Sequence, residues 1–194
     1  MRTQRRLDRL SSALRHTQPD LTVVLENIHD PHNVSAILRT CDAVGVREVN
    51  LLYTEEKFPE IGKKSSASAH KWVEKERFKS VQDCYKHLHD NGFLVVASVV
   101  DNSKSVLLYE LDLCKKVALV FGNEHRGVSE EAASSADVLF QIPMFGMIQS
   151  LNVSVACAVT LYEGLRQRIE AGEFDRQKIG KTEFEKRFGE WSKK

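Results

Sequence analysis

The chain has 194 residues, 42% hydrophobic and 28% charged, with a formal net charge of +1. That suits one globular domain with a sizeable core and modest appendages, and it excludes a disordered polyelectrolyte. No apolar run reaches the length of a membrane span, and the opening MRTQRRLDRL carries charge with no apolar stretch behind it. Neither an anchor nor a secretory signal is expected, and the protein is expected to be cytoplasmic.

Cys41, Cys84, Cys114 and Cys157 are scattered without a Cys-x-x-Cys pair, so they read as reduced bystanders. His29 and His32 have ligand-like spacing, but no nearby Cys or His completes a set. No metal is expected.

In chain order, residues 2–16 form an amphipathic helix with Leu7, Leu10 and Leu14 at helical spacing. Buried parallel strands follow at LTVVL (21–25), REVNLLY (47–53), FLVVASVV (93–100), VALVF (117–121) and VLFQI (138–142). Helical patterns separate them at 34–44, 81–91 and 129–136, then a long one runs over 151–171. A last helix covers 181–191 with Phe184, Phe188 and Trp191. Strand and helix alternate, so the class is α/β with helices on both faces of the sheet. The expected units are a basic N-terminal helix over 1–18, a catalytic core over 19–172 and a helical extension over 173–194.

The near-zero net charge hides an uneven distribution. Residues 1–20 hold five arginines, among them Arg6 and Arg9, against two aspartates. Residues 63–79, read as a basic loop, and residues 174–194 are also net positive. Three such runs favour a polyanionic partner over a merely solvated surface.

In open parallel sheets ligands bind beyond the carboxyl ends of strands, and three polar clusters lie there: ENIHDPHNVSAILRT, GNEHRG and QIPMFGMIQSLN. Asn33 is placed to cap the helix that carries Arg39. Glu124 stands between Gly122 and Gly127, where a permissive backbone lets a ligand approach closely. Ser150 and Asn152 flank Leu151 at the start of the long helix, more polar groups than capping requires. No Gly-x-Gly-x-x-Gly, Gly-x-x-x-x-Gly-Lys-Ser/Thr or Gly-x-Ser-x-Gly pattern occurs, so dinucleotide enzymes, P-loop NTPases and serine hydrolases are unsupported.

Taken together, Asn33 to Arg39, FGNEHRGVSEE and IPMFGMIQSLNVSVACAVTLYE resemble the three motifs of the SpoU branch of the SPOUT methyltransferases, over nearly the whole chain. The segments TQPDLTVVLENIHDPHNVSAILRTCDAVGV and LYEGLRQR are most similar to the TrmH group, the tRNA guanosine-18 2′-O-methyltransferases. The resemblance implies a parallel-sheet SPOUT fold with a deep C-terminal trefoil knot that holds S-adenosylmethionine. Ile142, Met144 and Leu151 would shape the adenosine pocket, with Ser98, Val99 and Gly122 as its other walls. Arg39 would be essential, as a base or as a positioning and electrostatic group, the latter being the ordinary capacity of a guanidinium. Asn33, Glu124, Ser150 and Asn152 would hold the reacting geometry. Arg6, Arg9, Arg166 and Arg168 would contact RNA phosphates.

The same likeness implies a homodimer whose active site is completed across the subunit boundary, and methylation of a ribose in tRNA, at guanosine 18 of the D-loop. The alternatives are an rRNA ribose methyltransferase and a non-catalytic RNA-binding member of the fold. The sequence departs from the family pattern in the serine- and lysine-rich stretch GKKSSASAHKWVEK and in a C-terminus that ends soon after Trp191.

Overall fold

Apolar, β-branched runs form the centre of a seven-stranded, wholly parallel sheet in the computed structural model, which describes residues 3–59, 69–100 and 102–194. The elements are α1 (Gln4–Arg15), β1 (Leu21–Glu26), α2 (Pro31–Val44), β2 (Glu48–Leu52), β3 (Glu74–Phe78), α3 (Val81–Asp90), β4 (Leu94–Ser98), β5 (Val106–Leu107), β6 (Val117–Phe121), α4 (Glu130–Ser135), β7 (Val138–Gln141), α5 (Val153–Glu170) and α6 (Lys181–Trp191). Short 3-10 turns occupy Ala69–Lys71 and Leu108–Glu110. The strand order is β3-β2-β1-β6-β4-β7-β5.

Alternation along the inner strands divides the core. Leu21, Val23 and Leu25 of β1 face α2 and α5 with Ile37, Leu38, Cys41, Cys157 and Leu161. Val24 faces α3 and α4 with Val81, Cys84, Leu88 and Ala132. Burial on both faces is why these strands lack a polar period. A third cluster, Leu10, Leu14 and Trp191, packs α1 on α6, so the two appendages meet each other. Among the described residues no helix is long and apolar enough to cross a membrane.

Several local expectations change. α2 begins at Pro31, and its cap is Asp30, whose carboxylate accepts from the His32 N–H. Proline at the first helical position has its φ preset and needs no donor there, so Asn33 is not the cap. Part of the expected basic loop is β3, an edge strand of sequence EKERF whose first four residues are exposed. Charge on an edge strand blocks pairing with further chains and erases the apolar signal. Residues 63–68 of that segment lie outside the described residues. The two-residue β5 carries no pattern long enough to read.

A further correction concerns Arg168, expected at the RNA surface. It is fully buried. Its guanidinium donates to the carbonyls of Leu113, Asp20 and Lys115 and to the side chains of Gln18 and Asp20. A cation so enclosed cannot reach a phosphate on a folded protein. Removing one partner from a buried, hydrogen-bonded ion pair typically costs about 3–5 kcal/mol. Arg168→Ala is therefore expected to lose about that much stability in equilibrium urea denaturation; a loss below about 1 kcal/mol would remove the structural role.

Candidate functional site

The carboxyl ends of β1, β2 and β6 are tied together by two asparagines. Asn27, just past β1, has φ of 50°, a left-handed conformation that Asn tolerates better than most residues. That turn aims its Oδ1 at the N–H groups of Thr54, Glu55 and Glu56, at 3.0, 3.2 and 3.2 Å. Asn123, after β6, donates to the Asn27 carbonyl at 2.7 Å and accepts from the His125 N–H at 2.9 Å. Arg126 then pairs with Glu55 and Glu56.

Glu124 joins the remaining segments. One oxygen accepts from the His29 N–H at 3.0 Å, the other from the Asp30 N–H at 3.1 Å and from Asn33 Nδ2 at 2.9 Å. Asn33 Oδ1 in turn accepts from Asn152 Nδ2 at 3.0 Å, while Asn152 Oδ1 caps α5 at the Ser154 N–H. Partial burial opposes ionisation of Glu124, but the Asn33 amide and the backbone donors outweigh it and hold the carboxyl below its usual range. Asn33, Glu124 and Asn152, from three separated stretches, thus form one hydrogen-bonded chain.

Gly122 allows the loop between β6 and α4 to close. A Cβ there would lie 2.1–2.2 Å from backbone atoms of Gly127 and Val128, so no larger residue fits without moving the loop. Gly122, Ser98 with Val99, and Ile142 with Met144 follow β6, β4 and β7, which are neighbours in the sheet. Ser98, Val99, Ile142, Met144 and Leu151 are half-buried, and Val99 donates its N–H to the Phe140 carbonyl. Apart from Leu151 at the start of α5, these residues stand at or just past the carboxyl ends of three adjacent strands. Open parallel sheets bind ligands at that place.

Other expected site residues stand apart. Arg39 is exposed on α2 and, among the described residues, has no hydrogen-bond or ion-pair partner. Ser150 is also exposed. Arg6 and Arg9 are exposed on α1 and likewise lack ion-pair partners among the described residues. Arg166 is half-exposed, with its donors on Glu163 and Glu170. His29 and His32 are both exposed, and neither belongs to the only compact group of potential metal ligands among the described residues, Glu48, Glu76 and His87. Asn27 and Arg126 escaped the sequence reading, which places Asn123 only as part of the tight loop after the strand at 117–121. Of the two missed, only Asn27, a turn-favouring residue directly after a strand, carried a usable signal.

Residues 20–162 match the SpoU rRNA Methylase family. A tRNA (guanosine(18)-2′-O)-methyltransferase of Thermus thermophilus is 45% identical over 193 residues, covering 100% of this chain and 98% of that protein. The crystal structure of the Aquifex aeolicus TrmH/SpoU tRNA modifying enzyme is 40% identical and superposes with a TM-score of 0.89, covering 97% of this chain and 95% of that one. An AdoMet-bound rRNA methyltransferase from Sinorhizobium meliloti is 27% identical with a TM-score of 0.68, covering 80% of this chain and 59% of that one.

The Glu124 junction has a pH signature. Its folded pKa lies below the ordinary 4.5, so its stabilisation is present above that value and lost as pH falls through the folded value. Glu124→Gln is expected to be less stable than the parent by about 1–2 kcal/mol at pH 7, a charged-acceptor effect discounted for partial exposure. In urea titrations from pH 7 to 3 the gap should hold down to the ordinary carboxylate range and narrow below it. A gap independent of pH would exclude the ionised carboxylate as its source.

Proposed function

Because the chain belongs to the SpoU methylase family, we propose that it transfers the methyl group of S-adenosylmethionine to a ribose 2′-hydroxyl in tRNA, at guanosine 18 of the D-loop. The observation that carries this reading is the Asn33–Glu124–Asn152 junction, which binds the three motif segments together at the strand ends. The tRNA substrate and the guanosine position are drawn from relatives similar to this chain over its full length.

Ser98, Val99, Gly122, Ile142, Met144 and Leu151 would hold the cofactor. Their place at and beyond the ends of adjacent strands supports this assignment, and the bare Cα of Gly122 lets the loop after β6 close. Bound there, S-adenosylmethionine supplies an electrophilic methyl carbon. The protein's task is to present the 2′-oxygen to it and to manage the charge that develops as the hydroxyl loses its proton. Arg39 is assigned to stabilise and position that oxygen, a role suited to a guanidinium with several donors in a fixed fork. Asn33 and Glu124 hold α2, which carries Arg39. Asn152 and Ser150 set the opposite wall, at the start of α5. Arg6 and Arg9 take RNA phosphates. The reading places the protein in the cytoplasm with its tRNA.

Two finer features belong to this reading. The first is the knot: Ser98 of β4 and Val106 of β5 both pair with Phe140 of β7, from opposite sides. That arrangement supports a threaded C-terminal segment. The second is a homodimer. Phe145 and Met147 are 98% and 99% exposed, and Val155, Tyr162 and Ile169 form an exposed apolar stripe at seven-residue spacing along α5. Exposed apolar side chains of this kind support an interface. A second copy covering them would also give Arg39, without partners among the described residues of its own chain, a site to complete.

Two measurements test these assignments. Incubation with labelled S-adenosylmethionine and unmodified tRNA should place label on one D-loop ribose. Arg39→Ala should lower that rate by roughly 10²–10³-fold, the usual loss of an oxyanion-stabilising donor, with its melting temperature unchanged. Label confined to rRNA fragments would favour the ribosomal substrate, and cofactor binding without transfer to any RNA would favour a binding module. Separately, Phe145→Glu combined with Met147→Glu should convert a dimer to a monomer in light scattering and abolish transfer while leaving the circular dichroism unchanged.

A further inference from the structure

A cavity of about 540 Å³ opens between α1, α6 and the 3-10 turn at Ala69–Lys71. Four cations, Arg6, Arg9, Lys71 and Lys194, surround two indoles, Trp72 and Trp191. Among the described residues of the lining Asp42 is the only acid, and Arg47 engages it at 3.2 Å. The cavity is therefore positive as well as aromatic.

The two indoles differ in what they can do. Trp191 is 3% exposed, with the Arg47 guanidinium 4.4 Å from its ring centroid, so it is a packed floor. Trp72 is half-buried, its ring 5.0 Å from that of Trp191. Lys194 reaches across it, 5.8 Å from the centroid, and donates to the Lys71 carbonyl. Trp72 packs against the cluster of Leu10, Leu14 and Trp191, and it shares the cavity lining with Arg6, Arg9, Lys71 and Lys194. Asp42 also lies three residues from Arg39 on α2, and residues so spaced are neighbours on a helix surface. The cavity thus opens beside the residue assigned to the reacting hydroxyl.

We propose that this cavity holds one unpaired nucleotide of the RNA substrate, its base stacked on Trp72 and its flanking phosphates on Arg6, Arg9 and Lys71. The inference deepens the RNA-methyltransferase reading and rests on it. The occupant is a nucleotide next to the methylated one along the strand, gripped so that the neighbouring ribose is presented to Arg39. An aromatic platform within a cationic groove recognises single-stranded nucleic acid by stacking and charge together. The volume falls in the roughly 300–1,000 Å³ range of small-ligand clefts. The Lys194 ammonium moves from the indole face to a phosphate when the base enters.

Both tryptophans of the chain line this cavity, so intrinsic fluorescence reports on it alone. Titration of the full chain with unmodified tRNA at low salt should change indole emission in step with binding measured by filter retention. Heparin, a polyanion without bases, should bind with little change in emission. Trp72→Leu should weaken tRNA affinity about ten-fold or more, the scale of one lost stacked base, and lower turnover at saturating tRNA, with cofactor affinity unchanged. Trp72→Phe, which keeps an aromatic face, should recover most of the affinity and guards against a folding defect in the leucine variant. Binding and methylation of tRNA with silent fluorescence, and with Trp72→Leu equal to the parent, would overturn the nucleotide site and leave the methyltransferase reading standing. An equal response to heparin would reduce the cavity to a general polyanion patch and overturn the stacking. Absence of any RNA binding would overturn both readings.

Discussion

The bond between the Glu124 carboxylate and the Asn33 amide is the constraint on which the site depends. The segment from Ile28 to Asp30 is irregular, and the N–H groups of His29 and Asp30 need an acceptor from elsewhere. Glu124 supplies it from a loop more than ninety residues away. Its second commitment, to Asn33 Nδ2, turns the Asn33 amide so that its oxygen faces Asn152. Asn152 can then serve two masters, accepting from the α5 backbone while donating to α2. The orientation of one helix start relative to the other is set by buried Asn33 between half-buried Glu124 and exposed Asn152.

The far end of α5 is held by a different device. Arg168 sits where the helix passes the start of β1, and its donors satisfy the carbonyls of Leu113 and Lys115 and join the Val117 N–H of β6 at that of Asp20. Asp20 completes the anchor: burial opposes its ionisation, but bonds from Lys178 and Arg168 outweigh it and hold the carboxyl below its usual range. α5 is pinned by Asn152 at one end and Arg168 at the other, while Cys157, Thr160 and Leu161 bury one side of its middle in the core. Val155, Tyr162 and Ile169 face outward from the same helix.

What could be read from the sequence follows from how local each cause is. The strands at 21–25, 94–98 and 117–121 are buried on both faces, so each needs an apolar run and shows one. β3 could not be read because its edge position favours charge, and β5 because two residues hold no period. The positions of Asn33, Glu124 and Asn152 as strand-end polar residues were legible. Their mutual bonding was not, since it links segments about ninety to one hundred and twenty residues apart. For the same reason Asn33 looked like a helix cap, which is a local role, when its partners are distant. LYEGLRQR likewise shows two arginines with nothing to tell them apart; only the helix rotation sends Arg168 inward and Arg166 outward.

That distinction governs how the charge should be counted. A formal net charge of +1 suggests a weak partner for a polyanion, but the acids are largely spent within the fold. Glu55 and Glu56 face Arg126, Asp20 and Glu173 face Lys178, and Asp42 faces Arg47. A paired cation contributes little field at a distance, and at physiological salt the screening length is only about 8 Å. What an approaching RNA meets is therefore set by local, unpaired groups. Among the described residues those include Arg6 and Arg9 on α1 and Arg39 on α2, the two helices that flank the aromatic cavity. The fold neutralises most of its charge internally and leaves one sector positive, so a nearly neutral protein can still present a directed surface to nucleic acid.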